Sequence, residues 1–361
     1  MLTGVDTVPA VLAVTAHRHL GRPALVGAGP AATWGELAAT VRSAALGLEA
    51  GGMEPGTRVR MAVGDPVGRR ALELALACVG ANRLSAPIPG GSGTGAGVVL
   101  DDEDVERLRA AGVPVDRAEP DRFERRTGSV DADAPALDDG IATWTQRQLL
   151  WAARSLGASL DATADDRVLS TLPADATGWV CGALLPLVSG AATAVAGPGP
   201  EPSVFERVRP TLLVCDDADV AGWFPGDTAA GSASRWERVR TRLAGPSRRR
   251  PPGWEPCRAA LVVGGGAGAE RLAALGLPGR VAVSWPGHAG LATGAAGPIG
   301  GLGRPLPGVT IAIDDDGEVL VRSGSVADGR CDDGWLHTGW GGDVDAAGRL
   351  VAVADASGPT R

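Results

Sequence analysis

Three side chains in this sequence could carry acid–base or nucleophilic chemistry: His288, Asp175 and Cys181. His288 is one of only four histidines, and it lies in a Pro-Gly-His-Ala segment typical of a turn. An imidazole beside an acidic partner acts as a general base near neutral pH. Cys181 lies in an apolar stretch, where a cysteine is more often a buried filler than a nucleophile. The sequence therefore predicts base chemistry at His288, with Asp175 as a second catalytic candidate.

Other motifs that would signal chemistry are weak. The sequence has no Gly-x-Ser-x-Gly elbow and no His, Asp and Glu residues at metal-ligand spacing. His337 is interpreted as structural, and His17 and His19 as surface residues of an N-terminal helix. The glycine-rich run at residues 89–97 is interpreted as a linker, because no helix opens after it. The sequence thus predicts neither a metal nor a cofactor.

Composition restricts the class of protein. The 361 residues are 44% hydrophobic and carry a formal net charge of −8 at pH 7. An acidic balance argues against nucleic acid as a partner, because phosphate contacts require a basic face. The five cysteines stand far apart, which favours neither disulfides nor zinc and fits a reducing cytoplasm. No signal peptide is predicted.

One segment has nearly the length of a membrane span. Residues 179–197 contain no charged side chain. Pro186, Ser189 and Gly190 interrupt the segment, and small residues fill its second half. We predict a buried helix, a glycine cap and a buried strand here, and no membrane partner.

The elements that would position these side chains form an α/β pattern, with helical stretches alternating with short β-branched strands. Thr33 and Glu36 make a capping box that predicts a helix over residues 33–49. Further helices are predicted over residues 66–79, 144–156 and 178–188.

The domain organisation follows from changes in this pattern. A first α/β lobe is predicted at residues 1–130, a second at 131–299, and a β-rich subdomain at 300–361. The proposed boundary between the lobes is a stretch rich in Asp, Arg and Pro.

Three ordered motifs carry a family resemblance. They are G-x-x-G-x-L-G-R-P-L-P-G-V at 297–309, G-E-V-L-V-R at 317–322 and G-W-L-H-T-G at 334–339. With G-x-x-P-G-x-R-V-R-M at 52–61, they resemble the adenylate-forming enzymes of the acyl-CoA synthetase type. The resemblance covers only the large N-terminal domain of that family, so the C-terminal lid domain is expected to be absent.

This resemblance implies an apolar acyl pocket between the two lobes. The positions that match the pocket of the family are Trp179, Cys181, Gly265, Gly266, Trp285, Gly287 and Trp340. His288 lies in the segment that matches the active-site turn of the family. The aromatic residues are expected either to line a reshaped pocket or to fill the former nucleotide cleft.

The nucleotide-binding elements of the family are replaced. P-A-L-D-D-G at 135–140 stands where a Ser/Thr/Gly-rich phosphate loop is expected, so Asp138 and Asp139 would repel triphosphate. Ala289 replaces the glutamate that helps to hold magnesium, and Trp340 replaces the aspartate that binds ribose. The sequence also contains no lysine, the residue that the family uses in acyl transfer to ATP.

Two functions remain open at this stage. The first is a degenerate acyl-CoA synthetase-like protein that has lost adenylation. It would bind or convert an acyl or polyketide-like intermediate without ATP, free or carried by a carrier protein, in specialised-metabolite biosynthesis. The alternative is a non-catalytic companion of an active synthetase, ketosynthase or carrier protein.

Overall fold

The computed structural model describes residues 5–27, 31–85, 97–110, 128–195, 202–224, 253–264, 267–274, 276–277, 279–294, 302–346 and 348–355. Within these ranges the chain forms two α/β layers and a β-rich subdomain. The predicted linker at 89–97 and the glycines at 265 and 266 lie largely or wholly outside the described residues.

The first lobe is built on a five-stranded sheet. Its strands are β3 (Arg58–Ala62), β4 (Asn82–Leu84), β5 (Val98–Asp101), β6 (Pro135–Asp138) and β7 (Thr143–Thr145). Their spatial order is β5–β3–β4–β6–β7, parallel except for the antiparallel pair of β6 and β7. The lobe also contains α2 (Trp34–Ala50), α3 (Pro66–Val79) and α4 (Asp102–Ala110).

Local sequence signals explain where these helices begin and end. The hydroxyl of Thr33 accepts from the backbone N–H of Glu36, whose carboxylate accepts in return from the N–H of Thr33, so the predicted capping box is confirmed. Asp65 caps α3 ahead of Pro66, and Gly80 ends α3 in the left-handed region at φ 74°. The predicted helix over 66–79 is therefore confirmed.

The second lobe is built on a seven-stranded sheet. Its strands are β1 (Pro23–Gly27), β2 (Ala32–Thr33), β8 (Arg167–Ser170), β9 (Ala192–Val195), β10 (Leu212–Asp216), β11 (Ala259–Val263) and β12 (Gly279–Ala282). Their order is β12–β11–β10–β8–β9–β1–β2. The accompanying helices are α1 (Val8–Arg18), α5 (Gln146–Ser159), α8 (Pro202–Val208), α9 (Asp217–Trp223) and α10 (Ala267–Ala274).

A helix of three parts, which we call the interlobe helix, connects the two layers. It consists of α6 (Ala176–Trp179), a π-helical segment (Val180–Leu184) and α7 (Leu185–Ser189). Pro186 lacks a backbone N–H and cannot donate a helical hydrogen bond. The π-helical segment lies directly before the α-helix that contains Pro186. Gly190 ends the helix at φ 74°, and β9 follows, as predicted for this apolar segment. None of the described helices is long and apolar enough to cross a membrane.

The last part of the described chain is β-rich. Its strands are β13 (Thr293–Gly294), β14 (Arg304–Pro305), β15 (Thr310–Ile313), β16 (Glu318–Arg322), β17 (Cys331–Asp332), β18 (Trp335–Val344) and β19 (Leu350–Asp355). Strands β15 to β19 form an antiparallel sheet centred on β16 and β18. One packed cluster joins this sheet to α5 and the second lobe.

Two sequence expectations differ from the structure. Strand β1 pairs with β9, and β6 and β7 pair within the first sheet, so sheet membership does not follow the bounds 1–130 and 131–299. Trp144 lies in β7 rather than in the helix predicted over 144–156. Thr145 and Gln148 form a second capping box, which fixes the start of α5 at Gln146.

Candidate functional site

Asp175 is placed at the start of the interlobe helix. Its carboxylate accepts a hydrogen bond of 2.8 Å from the backbone N–H of Gly178, and so caps the helix. Burial raises the pKa of this carboxyl. A Cβ at Gly178 would lie 1.7 Å from the carbonyl oxygen of Pro173, so this tight start requires glycine. The structure thus gives Asp175 a structural task.

The N-cap formed by Asp175 should contribute measurably to stability. Asp175→Ala should lower the free energy of unfolding by about 1 kcal/mol, because it removes the N-cap acceptor. Asp175→Asn should remain near the wild-type value, because asparagine caps helices equally well and carries no charge to bury. Urea unfolding at pH 7 measures both values. Equal losses in the two variants would mean that the charge, and not the cap, stabilises this turn.

Cys181 lies two residues beyond Trp179, inside the π-helical segment, and its side chain is fully buried. Burial raises the pKa of its thiol far above the ordinary value. A thiol in this state supplies no thiolate at neutral pH, so nucleophilic chemistry is not supported at this position.

His288 lies in the loop that follows β12, and its side chain is also buried. The backbone N–H of His288 donates to the carbonyl of Trp285, and the next residue, Ala289, donates to the carbonyl of Ser325. These bonds attach the loop to the β-rich subdomain. Burial lowers the pKa of His288 to about 4, so its imidazole is neutral at physiological pH.

Two serines, which sequence analysis did not single out, contact the imidazole. The Nε2 atom of His288 lies 3.0 Å from the hydroxyl oxygens of both Ser323 and Ser325. The two hydroxyl oxygens also lie 3.0 Å apart. We call these three residues the His–Ser cluster. A neutral imidazole at this distance accepts a hydrogen bond from a serine hydroxyl, but a pKa of about 4 makes it a weak base.

A second polar group, the charge cluster, consists of Glu73 with Arg69, Arg70 and Arg83. The carboxylate of Glu73 accepts from Arg83 at 2.9 Å and pairs with both other arginines. The guanidinium of Arg83 lies 4.8 Å from the ring centroid of Trp179, a cation–π contact across the lobes. The side chains of Glu73 and Arg83 are only 4% and 3% exposed.

The segment where the sequence predicts that a phosphate loop is replaced forms a tight turn between β6 and β7. The carboxylate of Asp138 pairs with Arg58 at 2.9 Å and accepts from the N–H of Gly140. The carboxylate of Asp139 accepts from the N–H groups of Ile141 and Ala142. Burial, with the charges of Asp175 and Asp138, raises the pKa of Asp139. The two side chains thus occupy the backbone donors that an anion would need.

The aromatic residues assigned to the pocket separate in the structure. Trp179 packs in the core shared with the first lobe, whereas Trp285 packs with Cys181 in the core shared with the β-rich subdomain. Gly287 has φ 88°, a conformation that suits glycine, and lies near Leu336. Trp340 is 40% exposed on β18 and is therefore not packed as a plug.

Solved structures resemble this fold over nearly its whole length. A benzoate CoA ligase from Burkholderia xenovorans LB400 superposes with a TM-score of 0.72 at 17% identity, covering 97% of this chain and 80% of the ligase. The O-succinylbenzoate CoA synthetase from Bacillus subtilis, in complex with AMP, gives 0.71 at 18% identity, covering 96% and 78%.

A third structure contains one domain only. The N-terminal domain of FACL13 from Mycobacterium tuberculosis gives a TM-score of 0.68 at 18% identity, covering 97% of this chain and 99% of that domain. This chain has the fold of the N-terminal domain of adenylate-forming enzymes. No family model matches the sequence, and no curated protein matches it.

The adenylate-forming fold places the candidate residues in two groups. Asp139, Asp175 and the charge cluster lie on the first-lobe side of the interlobe helix, where Arg83 contacts Trp179. The His–Ser cluster lies where the loop after β12 meets the β-rich subdomain. The sequence signal that could have found these serines is the Ser-Gly-Ser segment directly after β16.

Proposed function

We propose that this acyl-CoA-synthetase-like protein does not adenylate and that it binds an acyl-type ligand without ATP. The observation that carries the proposal is the turn at Asp138 and Asp139. A phosphate-binding loop works through free backbone N–H groups and a cation. Here two carboxylates accept those N–H groups, and they present negative charge where phosphate would bind.

Two further positions support the loss of nucleotide chemistry. Ala289, which stands at the magnesium-binding glutamate position of the family, is fully buried and has no carboxylate to offer. Trp340, at the ribose-binding aspartate position, replaces an acceptor with a half-exposed indole. Each change removes a polar contact that the nucleotide would need, and all three changes act in the same direction.

The fold shared with CoA ligases supports an acyl-type ligand. The similar structures include a benzoate CoA ligase and an O-succinylbenzoate CoA synthetase. On this fold, the ligand of the present chain would be an acyl or polyketide-like molecule, free or presented by a carrier protein. Its setting would be specialised-metabolite biosynthesis in the cytoplasm. If the ligand is converted, by cyclisation, acyl transfer or hydrolysis, His288 would be the base, and its Nε2 atom lies 3.0 Å from the hydroxyl oxygen of Ser323.

A non-catalytic companion role is the second candidate. It is favoured by the observation that all three reactive candidates have structural tasks. Asp175 caps a helix, Cys181 fills the core, and His288 bonds two serines in a buried loop. A protein with this arrangement would hold an acyl group or a partner in place rather than transform it.

Calorimetry with two probes tests the proposal. We expect no heat of binding from MgATP at millimolar concentration, and saturable binding of octanoyl-CoA or benzoyl-CoA. The matched control is Asp138→Asn with Asp139→Asn, which keeps the turn acceptors and removes both charges. Because the asparagines still occupy the backbone donors, MgATP binding by this variant should remain undetectable, and its appearance would assign the loss to the two charges alone.

Three outcomes are distinguishable. Micromolar binding of MgATP by the wild type would refute the loss of nucleotide chemistry. Binding of an acyl-CoA without MgATP supports the ligand-binding function. The absence of binding for every probe would refute the proposal and leave the companion role.

A further inference from the structure

We propose that Asp314, Glu318 and His337 form a binding site for a divalent transition-metal ion of the zinc class. The three side chains lie in the β-rich subdomain, on the strand that also carries Trp340, on the strand that pairs with it and in the turn before that second strand. Asp314 follows β15, Glu318 begins β16, and His337 lies on the neighbouring strand β18. The inference does not depend on the proposed function.

The distances between the donor atoms fit a single ion. The Nδ1 atom of His337 lies 2.9 Å from a carboxylate oxygen of Glu318. One donor atom from each of the three residues lies within 4.8 Å of the other two. Ligand atoms at about 2.1 Å from a tetrahedral zinc ion stand about 3.4 Å apart, so the three side chains must rotate to bring their donor atoms into range.

The backbone holds both carboxylates in position. One oxygen of Asp314 accepts from the N–H groups of Asp316 and Glu318, at 3.0 and 2.7 Å. The other oxygen of Glu318 accepts from the N–H of Gly339 at 2.7 Å. These bonds engage one oxygen of each carboxylate, and the second oxygen of Glu318 faces the Nδ1 atom of His337. Such outer contacts orient metal ligands in known sites.

Charge and access also suit a cation. The two carboxylates are partly buried and the imidazole is exposed, so an ion can enter from solvent. Asp332 adds negative charge near the imidazole. One imidazole with two carboxylates favours zinc, cobalt or nickel, whereas an all-oxygen set would favour magnesium or calcium. Three protein ligands leave a fourth position for water.

The test uses the full chain in a Cys331→Ser background, because Cys331 is the exposed thiol among the free cysteines and would bind zinc independently. After chelator treatment, calorimetry with ZnCl2 should give one site per chain, and MgCl2 should give none. The variants Glu318→Gln and His337→Ala should each weaken zinc binding at least about tenfold, since even outer-shell changes cost that much.

The matched control is Asp343→Asn, which removes one exposed negative charge from the same strand β18. Its zinc affinity should stay within a factor of about two, given that isolated surface charges interact weakly. Thermal unfolding with and without zinc confirms that each variant is folded. If zinc affinity fell equally in Glu318→Gln, His337→Ala and Asp343→Asn, zinc would be attracted only by the general negative charge of the surface. That result would overturn the proposed site. So would an absence of zinc binding in the parent protein.

Discussion

Glu73→Gln is expected to lower the free energy of unfolding by about 3–5 kcal/mol, the largest stability effect of any substitution considered. Glu73 neutralises Arg83, whose guanidinium is 3% exposed, and it also pairs with Arg69 and Arg70. Burial alone would raise the pKa of Glu73, but the charges of Arg70 and Arg83 outweigh it and hold the pKa below its ordinary value. The isosteric glutamine keeps the volume and leaves three like charges together, with Asp175 as the remaining acidic group that acts on Arg83.

The charge cluster also predicts an asymmetry. Arg83→Met should cost less than Glu73→Gln, because Glu73 retains Arg69 and Arg70 as partners after that change. Urea unfolding at pH 7 gives both values and that of the double variant, which should recover part of the loss. A loss below about 1 kcal/mol for Glu73→Gln would mean that the cluster is solvated and does not join the lobes through buried charge.

Acidification is expected to destabilise the protein through His288 by about 3 kcal/mol between pH 6.5 and pH 4. The folded imidazole has a pKa of about 4, whereas the unfolded one titrates near 6.5. Between these values the unfolded chain binds the extra proton, so stability falls as pH falls. The contribution is complete above pH 6.5 and is lost as pH approaches 4.

The variant His288→Gln isolates this effect from the carboxyl groups that titrate in the same range. The difference in unfolding free energy between pH 7 and pH 4 should be smaller in this variant by about 3 kcal/mol. The matched control His17→Gln, at an exposed position of α1, should leave the difference unchanged. If the unfolding free energy fell equally between pH 7 and pH 4 in the wild type, His288→Gln and His17→Gln, the imidazole of His288 would be solvated. That result would contradict its buried position.

Helix and strand positions were the most predictable part of the fold, because their signals are local. The capping box at Thr33 and the glycine stop at Gly80 fix helix ends through bonds within a few residues. The error at Trp144 arose because a strand and a helix meet at Thr145, and an apolar pattern does not separate two adjoining elements. The domain bounds differed for another reason, since β1 joins a strand from the other half of the chain.

The candidate site was less predictable. His288 was found because histidines are few in this sequence, but its partners in the Ser-Gly-Ser segment lie over thirty residues later, and nothing in that segment alone links it to His288. No sequence pattern distinguishes Glu73 and Arg83 from exposed charged residues. The structure shows that they are buried and paired. Sequence spacing also gave no metal site, because His337 reaches Asp314 and Glu318 only through strand pairing.

By itself, the sequence determined the α/β class and the family resemblance confirmed at the level of fold, and it predicted that Asp138 and Asp139 stand in place of a phosphate loop. These properties depend on residue types and on their spacing over a few positions, and both can be read directly from the sequence. Only the tertiary structure decided that Asp175 caps a helix, that His288 is buried with a lowered pKa, and that Glu73 pairs with three arginines. Burial and charge pairing depend on contacts between distant segments, and so the state of each reactive group was decided by packing.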